Sequence, residues 1–158
     1  VGTYPVQVIR AMRKVVKNQE NHNTNEMEEF LPIEKKNDRY ISDTICFNAC
    51  KIAEQVNAKA VMTMTHSGYN AYKISSFRPP SQICIFTNNR KIMNTLSLLW
   101  GVRGYYYDEF VSTDHTISDI KNIIKEKGIV KDGDMVVNIA SMPITDKGMT
   151  NMLRLSSI

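Results

Sequence analysis

The sequence predicts an α/β fold: a three-layer α/β/α sandwich on a five-stranded, mainly parallel sheet whose last strand is antiparallel. Three observations predict it. From position 60 onward, short apolar runs of strand length alternate with amphipathic segments of about ten residues, the pattern of βαβ crossovers. The runs are apolar at successive positions, AVMTM at 60–64 and ICIFT at 83–87, as suits strands covered on both faces. No helical segment separates the fourth and fifth runs, so those two are expected to pair antiparallel.

In order along the chain, residues 1–21 read as a helix started by Pro5, with Val8, Ile9, Met12, Val15 and Val16 on one face. That face needs a partner. The stretch QENHNTN at 19–25 is too polar to continue it, and Leu31-Pro32 followed by Lys35-Lys36-Asn37-Asp38 reads as an exposed connector. A domain boundary is placed here, giving units 1–30 and 31–158, and the orphan stripe suggests the tail of something longer. A second helix is expected from Asp43, with Ser42 as N-cap and Ile45, Ala49, Ile52, Ala53 and Val56 in register. Strands follow at 60–64, 83–87, 102–107, 134–140 and 150–155. The intervening helices are expected at 69–77, 89–99 with Asn88 as cap, and 117–127 closed by Gly128. Lys131-Asp132-Gly133 is a turn, and Tyr105-Tyr106-Tyr107 reads as edge-strand packing.

At 158 residues, 42% hydrophobic and 23% charged, the chain is long enough for one domain with a real core. Its net charge of +4 is spread along the sequence and forms no nucleic-acid stripe. Arg10, Arg13, Lys14 and Lys17 lie at helical spacing and read as a solvated helix face. Cys46, Cys50 and Cys84 are odd in number and lack a CxxC pair, so neither a disulfide framework nor a zinc site is indicated. Cys46 and Cys50 read as small buried packing residues. No run approaches the ~18 apolar residues of a membrane span, and a cytoplasmic protein is expected.

The stretch most suited to chemistry is Thr65-His66-Ser67-Gly68, where a strand feeds a loop that opens a helix. Backbone N–H groups, hydroxyls and the positive helix end there suit a phosphate or carboxylate, although such turns also serve as plain connections. Arg90 and the segment 141–151, with Lys147 and Gly148, lie at equivalent ends. Catalysis is poorly provided for. His66 has no nearby carboxylate to orient it as a base for Ser67, and His22 and His115 are scattered. Asp132 and Asp134 belong to a turn and not to a calcium loop. No metal or cofactor is expected in this segment.

In order and at their intervals, the motifs resemble the C-terminal portion of pyruvate kinase, of bacterial type. Gly2-Thr3-Tyr4-Pro5 to Met12 resembles GxYPxxxVxxM, which begins the last helix of that enzyme's catalytic barrel. The run 60–71 resembles its strand and TxSGxxA loop, Phe77-Arg78-Pro79 its (Y/F)RP, and Gly101-Val102 its GV. Ser112-Thr113-Asp114 is similar to its STD, Lys131-Asp132-Gly133-Asp134 to its xxGD turn, and Gly148-Met149-Thr150-Asn151 to its closing GxTN.

The resemblance implies a regulatory and tetramer-forming domain of a glycolytic enzyme, preceded by the final barrel helix and not catalytic alone. The parent enzyme would transfer phosphate from phosphoenolpyruvate to ADP, with its magnesium and potassium held in the barrel. By motif, Thr65, His66, Ser67, Gly68 and Asn70 would cradle a phosphate of a sugar-phosphate or nucleotide effector, with Lys147 and Gly148 in the loop closing over it. Tyr69 and Asn70 depart from the commoner arginine or threonine and serine, and no arginine for a second phosphate stands at 115–118. Two other classes stay open: an independent small α/β phosphate sensor or enzyme with Ser67 or His66 reactive, and a purely structural interface module.

Overall fold

The computed structural model describes residues 2–22, 38–109, 112–142 and 149–158. The expected connector beyond position 22 lies outside them up to residue 37. The chain divides into two units, Val1–Phe30 and Leu31–Ile158.

Among its described residues, the first unit holds one helix, α1 (Pro5–His22). Pro5 occupies the first helical position, where its missing N–H would have had no partner. Tyr4, Val6, Val8, Ile9, Met12, Val15 and Val16 are 54–68% exposed, so the stripe foreseen in the sequence lies open.

The second unit runs α2 (Tyr40–Gln55), β1 (Ala60–Met64), α3 (Tyr69–Phe77), β2 (Gln82–Thr87), α4 (Arg90–Leu96), β3 (Val102–Tyr106), α5 (Thr113–Glu126), β4 (Met135–Ala140) and β5 (Met152–Ser157). The five strands form one sheet in the order β3-β2-β1-β4-β5. The pairs β1–β2, β1–β4 and β2–β3 are parallel, and β4–β5 is antiparallel with Asn138 opposite Arg154. The α/β expectation therefore holds, including the antiparallel last strand.

Alternation along the strands divides the core between two faces. Ala60, Met62, Cys84, Phe86 and Val136 pack with Ile120 and Ile124 of α5 on one face. Val61, Ile83, Ile85, Val137 and Ile139 are buried on the other, where α2 meets β1 and β4, α3 meets β2 and α4 meets β3. Gly104 lets α4 come close: a Cβ there would stand 3.3 Å from Leu96 and 3.5 Å from the Met93 sulfur.

The strand cores match the sequence reading, and the ends differ for local reasons. Helix α2 begins at Tyr40, not Asp43, and Ser42 is buried inside its first turn instead of capping it. The cap of α4 is Asn89, not Asn88, its side-chain oxygen accepting the Lys91 N–H at 3.1 Å. Helix α5 starts four positions before Ile117, with Ser112 Oγ accepting the His115 N–H at 3.2 Å. Its polar first turn, Thr-Asp-His-Thr, carries no apolar period to read. Strand β5 begins at Met152, because Thr150 and Asn151 are engaged in side-chain bonds before it.

Cys46, Cys50 and Cys84 are fully buried, and burial pushes each thiol up from an ordinary 9.0 to about 12. A thiol kept neutral by the fold but free to ionise when unfolded contributes stability that is complete below about pH 9 and is lost as pH rises toward 12. Iodoacetamide at neutral pH is thus expected to leave all three thiols intact in the folded chain and to label all three in denaturant. In a pH titration, the urea midpoint should fall across the same alkaline window.

Candidate functional site

The strand order fixes where a ligand would lie. From β1 the chain steps outward through β2 to β3, then returns across the sheet to β4 on the other side of β1. The carboxyl ends of β1 and β4 thus flank the point where the connections diverge, the usual ligand crevice of an open α/β sheet. The loop 65–68 leaves β1 there, and the segment from Ser141 leaves β4.

The loop is tightly built. The Thr65 N–H extends the ladder to the Phe86 carbonyl at 3.0 Å. Gly68 takes φ +83° just before α3, a left-handed conformation that a side chain would strain. Its N–H donates to Thr65 Oγ1 at 2.9 Å, and the Tyr69 N–H donates to Ser67 Oγ at a longer 3.4 Å. The hydroxyls thereby occupy the helix-end donors that an anion would use, while His66 and Ser67 remain exposed.

A neighbouring loop after β2 braces this one. The Asn89 amide donates to the His66 carbonyl at 3.1 Å, and His66 Nδ1 lies 3.3 Å from Asn88 Oδ1. The partner that orients His66 is an amide, not a carboxylate, which does not make it a general base for Ser67. Arg90 stacks 4.3 Å over the Tyr106 ring.

Asn70 lies beneath the loop, buried to 7% exposure. Its amide nitrogen donates to Thr63 Oγ1 at 3.3 Å and Thr150 Oγ1 at 2.7 Å, and the Cys46 thiol is 3.9 Å from its oxygen. Lys147 and Gly148 lie outside the described residues, but the stems on either side of them are fixed. The Asn151 side chain brackets Met142, accepting its N–H at 2.8 Å and donating to its carbonyl at 3.0 Å. The Asn70–Thr150 bond therefore joins the first turn of α3 to the stem of the second loop. His66 and Ser67 are exposed, Thr65 is half-buried and Gly68 buried, and Asn70 ties the helix that follows them to Thr63 and Thr150.

Sequence reasoning missed Thr150 and Asn151 as the residues that place the second loop, and Asn88 and Asn89 as the brace of the first. A Thr-Asn pair directly before a strand, and paired asparagines directly after one, are the signals that were present. Among the described residues, no group of three or more His, Cys, Asp or Glu side chains could hold a metal ion. No helix among them is long and apolar enough to cross a membrane.

The profile of the family described as pyruvate kinase, alpha/beta domain, matches residues 43–156. The chain belongs to this family. It is 34% identical to a pyruvate kinase of Clostridium acetobutylicum over 158 residues, covering 99% of this chain and 33% of that protein. It is 31% identical to a pyruvate kinase of Lactobacillus delbrueckii subsp. bulgaricus over 161 residues, covering 99% of this chain and 27% of that protein. A crystal structure of a pyruvate kinase from Cryptosporidium parvum shares the fold, with a TM-score of 0.66 at 24% identity over 74% of this chain and 22% of that one. The chain spans a third or less of the length of these curated relatives. The match to a pyruvate kinase alpha/beta domain gives the crevice between β1 and β4 its family setting.

Asn70→Ala should remove the donor to the Thr150 and Thr63 hydroxyls, leaving Thr63 only its bond to the Met64 carbonyl, and cost about 1–3 kcal/mol. Urea denaturation checks this, and an unchanged midpoint would remove Asn70 from its place as the tie between the two loops.

Proposed function

We propose that the chain is the C-terminal allosteric and oligomerisation part of a cytoplasmic pyruvate kinase, whose parent reaction converts phosphoenolpyruvate and ADP to pyruvate and ATP in glycolysis. On this reading, residues 1–30 supply the last helix of the catalytic barrel and its connector, and 31–158 the C-terminal domain. The barrel carries the chemistry with its magnesium and potassium, and this segment is not catalytic alone. The exposed stripe on α1 supports the division, since an amphipathic helix buries its apolar face against a partner. The domain would also take part in the contacts of a homotetramer.

Thr65, His66, Ser67 and Gly68 would hold a phosphate of a sugar-phosphate effector, with Asn70 positioning them and Lys147 and Gly148 in the closing loop. The observation that carries this is the Asn70–Thr150 bond, which brings two loops together at the switch point of the sheet. One observation favours a second reading, a purely structural module. The Gly68 and Tyr69 N–H groups already have partners in the Thr65 and Ser67 hydroxyls, bonds the turn makes without a ligand.

Thermal melts with fructose 1,6-bisphosphate, ribose 5-phosphate and AMP separate the two. A ligand at a hundredfold excess over its Kd stabilises by ~2.7 kcal/mol, roughly 5–10 °C for a chain of this size. A sugar phosphate is expected to produce such a shift and Ser67→Ala to reduce it. No shift with any of the three favours the structural module, and pyruvate formation by this chain alone would overturn its non-catalytic assignment.

A further inference from the structure

Beside the loop, a buried carboxylate is shared between two helices. Asp43, in the first turn of α2, has a side chain only 5% exposed. Its Oδ1 accepts the Tyr69 hydroxyl at 2.5 Å, and its Oδ2 pairs with Lys73 Nζ at 3.2 Å. Both partners belong to α3, one turn apart. Arg39, the residue just before α2, lies 4.0 Å over the Tyr69 ring. A buried carboxylate costs several kcal/mol when a partner is withdrawn, so Asp43 holds the start of α3 in one place relative to the start of α2.

Tyr69 serves both structures at once. Its backbone N–H donates to Ser67 Oγ of the 65–68 loop at 3.4 Å, and its side chain reaches Asp43. Only Gly68 separates it from the loop hydroxyls. A change in the loop that draws on the Tyr69 N–H therefore acts on a residue whose other end is fixed to α2. One residue along, Asn70 and Cys46 continue the same contact between the helices.

We propose that Tyr69 is a coupling residue, which through Asp43 links anion occupancy of the 65–68 loop to the order of the first turn of α2. This rests on the anion reading of the loop given above.

Hydrogen exchange of the full 158-residue chain, with and without fructose 1,6-bisphosphate, tests the link. In the unaltered chain, exchange should slow in both 64–70 and 40–46, by about fivefold or more. Tyr69→Phe keeps the ring under Arg39 and removes only the hydroxyl; it should keep the protection at 64–70 and lose that at 40–46. Asp43→Ser, which withdraws the acceptor together with its buried charge, should give the same split and serves if the phenylalanine variant does not fold. Protection confined to 64–70 in the unaltered chain overturns the coupling alone, as does protection of 40–46 that survives in either variant. No protection at 64–70 in the unaltered chain overturns the anion reading and the coupling with it.

Discussion

One buried side-chain amide, that of Asn70, sets the geometry of the crevice. It binds Thr63 in β1 and Thr150 on the approach to β5, and the Cys46 thiol of α2 reaches its oxygen. Helix α2, the β1–α3 unit and the approach to β5 thus share one buried polar contact. Interior polar groups are expensive to leave unpaired, so the network is satisfied together or broken together. The sheet places β1 and β4 side by side; Asn70 decides how the loops beyond them sit.

Around that anchor, the loop is in competition with any ligand. Gly68 and Tyr69 donate to hydroxyls of their own turn, so an anion that used either N–H would displace a hydroxyl. A charge-assisted bond is about twice as strong as a neutral one, which lets a phosphate win the exchange when it also meets the positive end of α3. The described cations nearby are committed elsewhere: Lys73 to Asp43, and Arg90 to the Tyr106 ring. Helix end and hydroxyls therefore carry most of the attraction available from the described residues.

The sequence was informative where a period or a motif acts locally and silent where the decisive contact is distant. AVMTM and QICIFT announced buried parallel strands because both faces of the sheet are covered, and the lack of a helix before β5 announced the antiparallel pair. The start of α5 was not legible, because Thr113 to Thr116 are polar and Ser112 caps them. In the sequence, Asp43 marks only the start of a helix. Its binding to Tyr69 and Lys73, across 26 and 30 positions, follows from the packing of α2 on α3, which no local pattern encodes. Asn70 read as a loop residue by motif, and only the fold turns it inward toward Thr150.

The loop's own residues differ in how far the fold alone accounts for them. Gly68 is required by its dihedral angle: a Cβ there would meet Tyr72 at 3.7 Å and Ile92 at 3.8 Å, ordinary contacts, but at φ +83°. Thr65 is explained as well, since its hydroxyl takes the Gly68 N–H at a full-strength 2.9 Å. His66 is held by Asn88 through its ring and by Asn89 through its carbonyl. Ser67 is different. It is exposed, and its one contact, from the Tyr69 N–H, is 3.4 Å long, a bond that contributes little to the turn. On the phosphate reading proposed above, Ser67 is therefore the residue of the four whose side chain the turn itself needs least, and its hydroxyl is the one a ligand could engage at least cost to the turn.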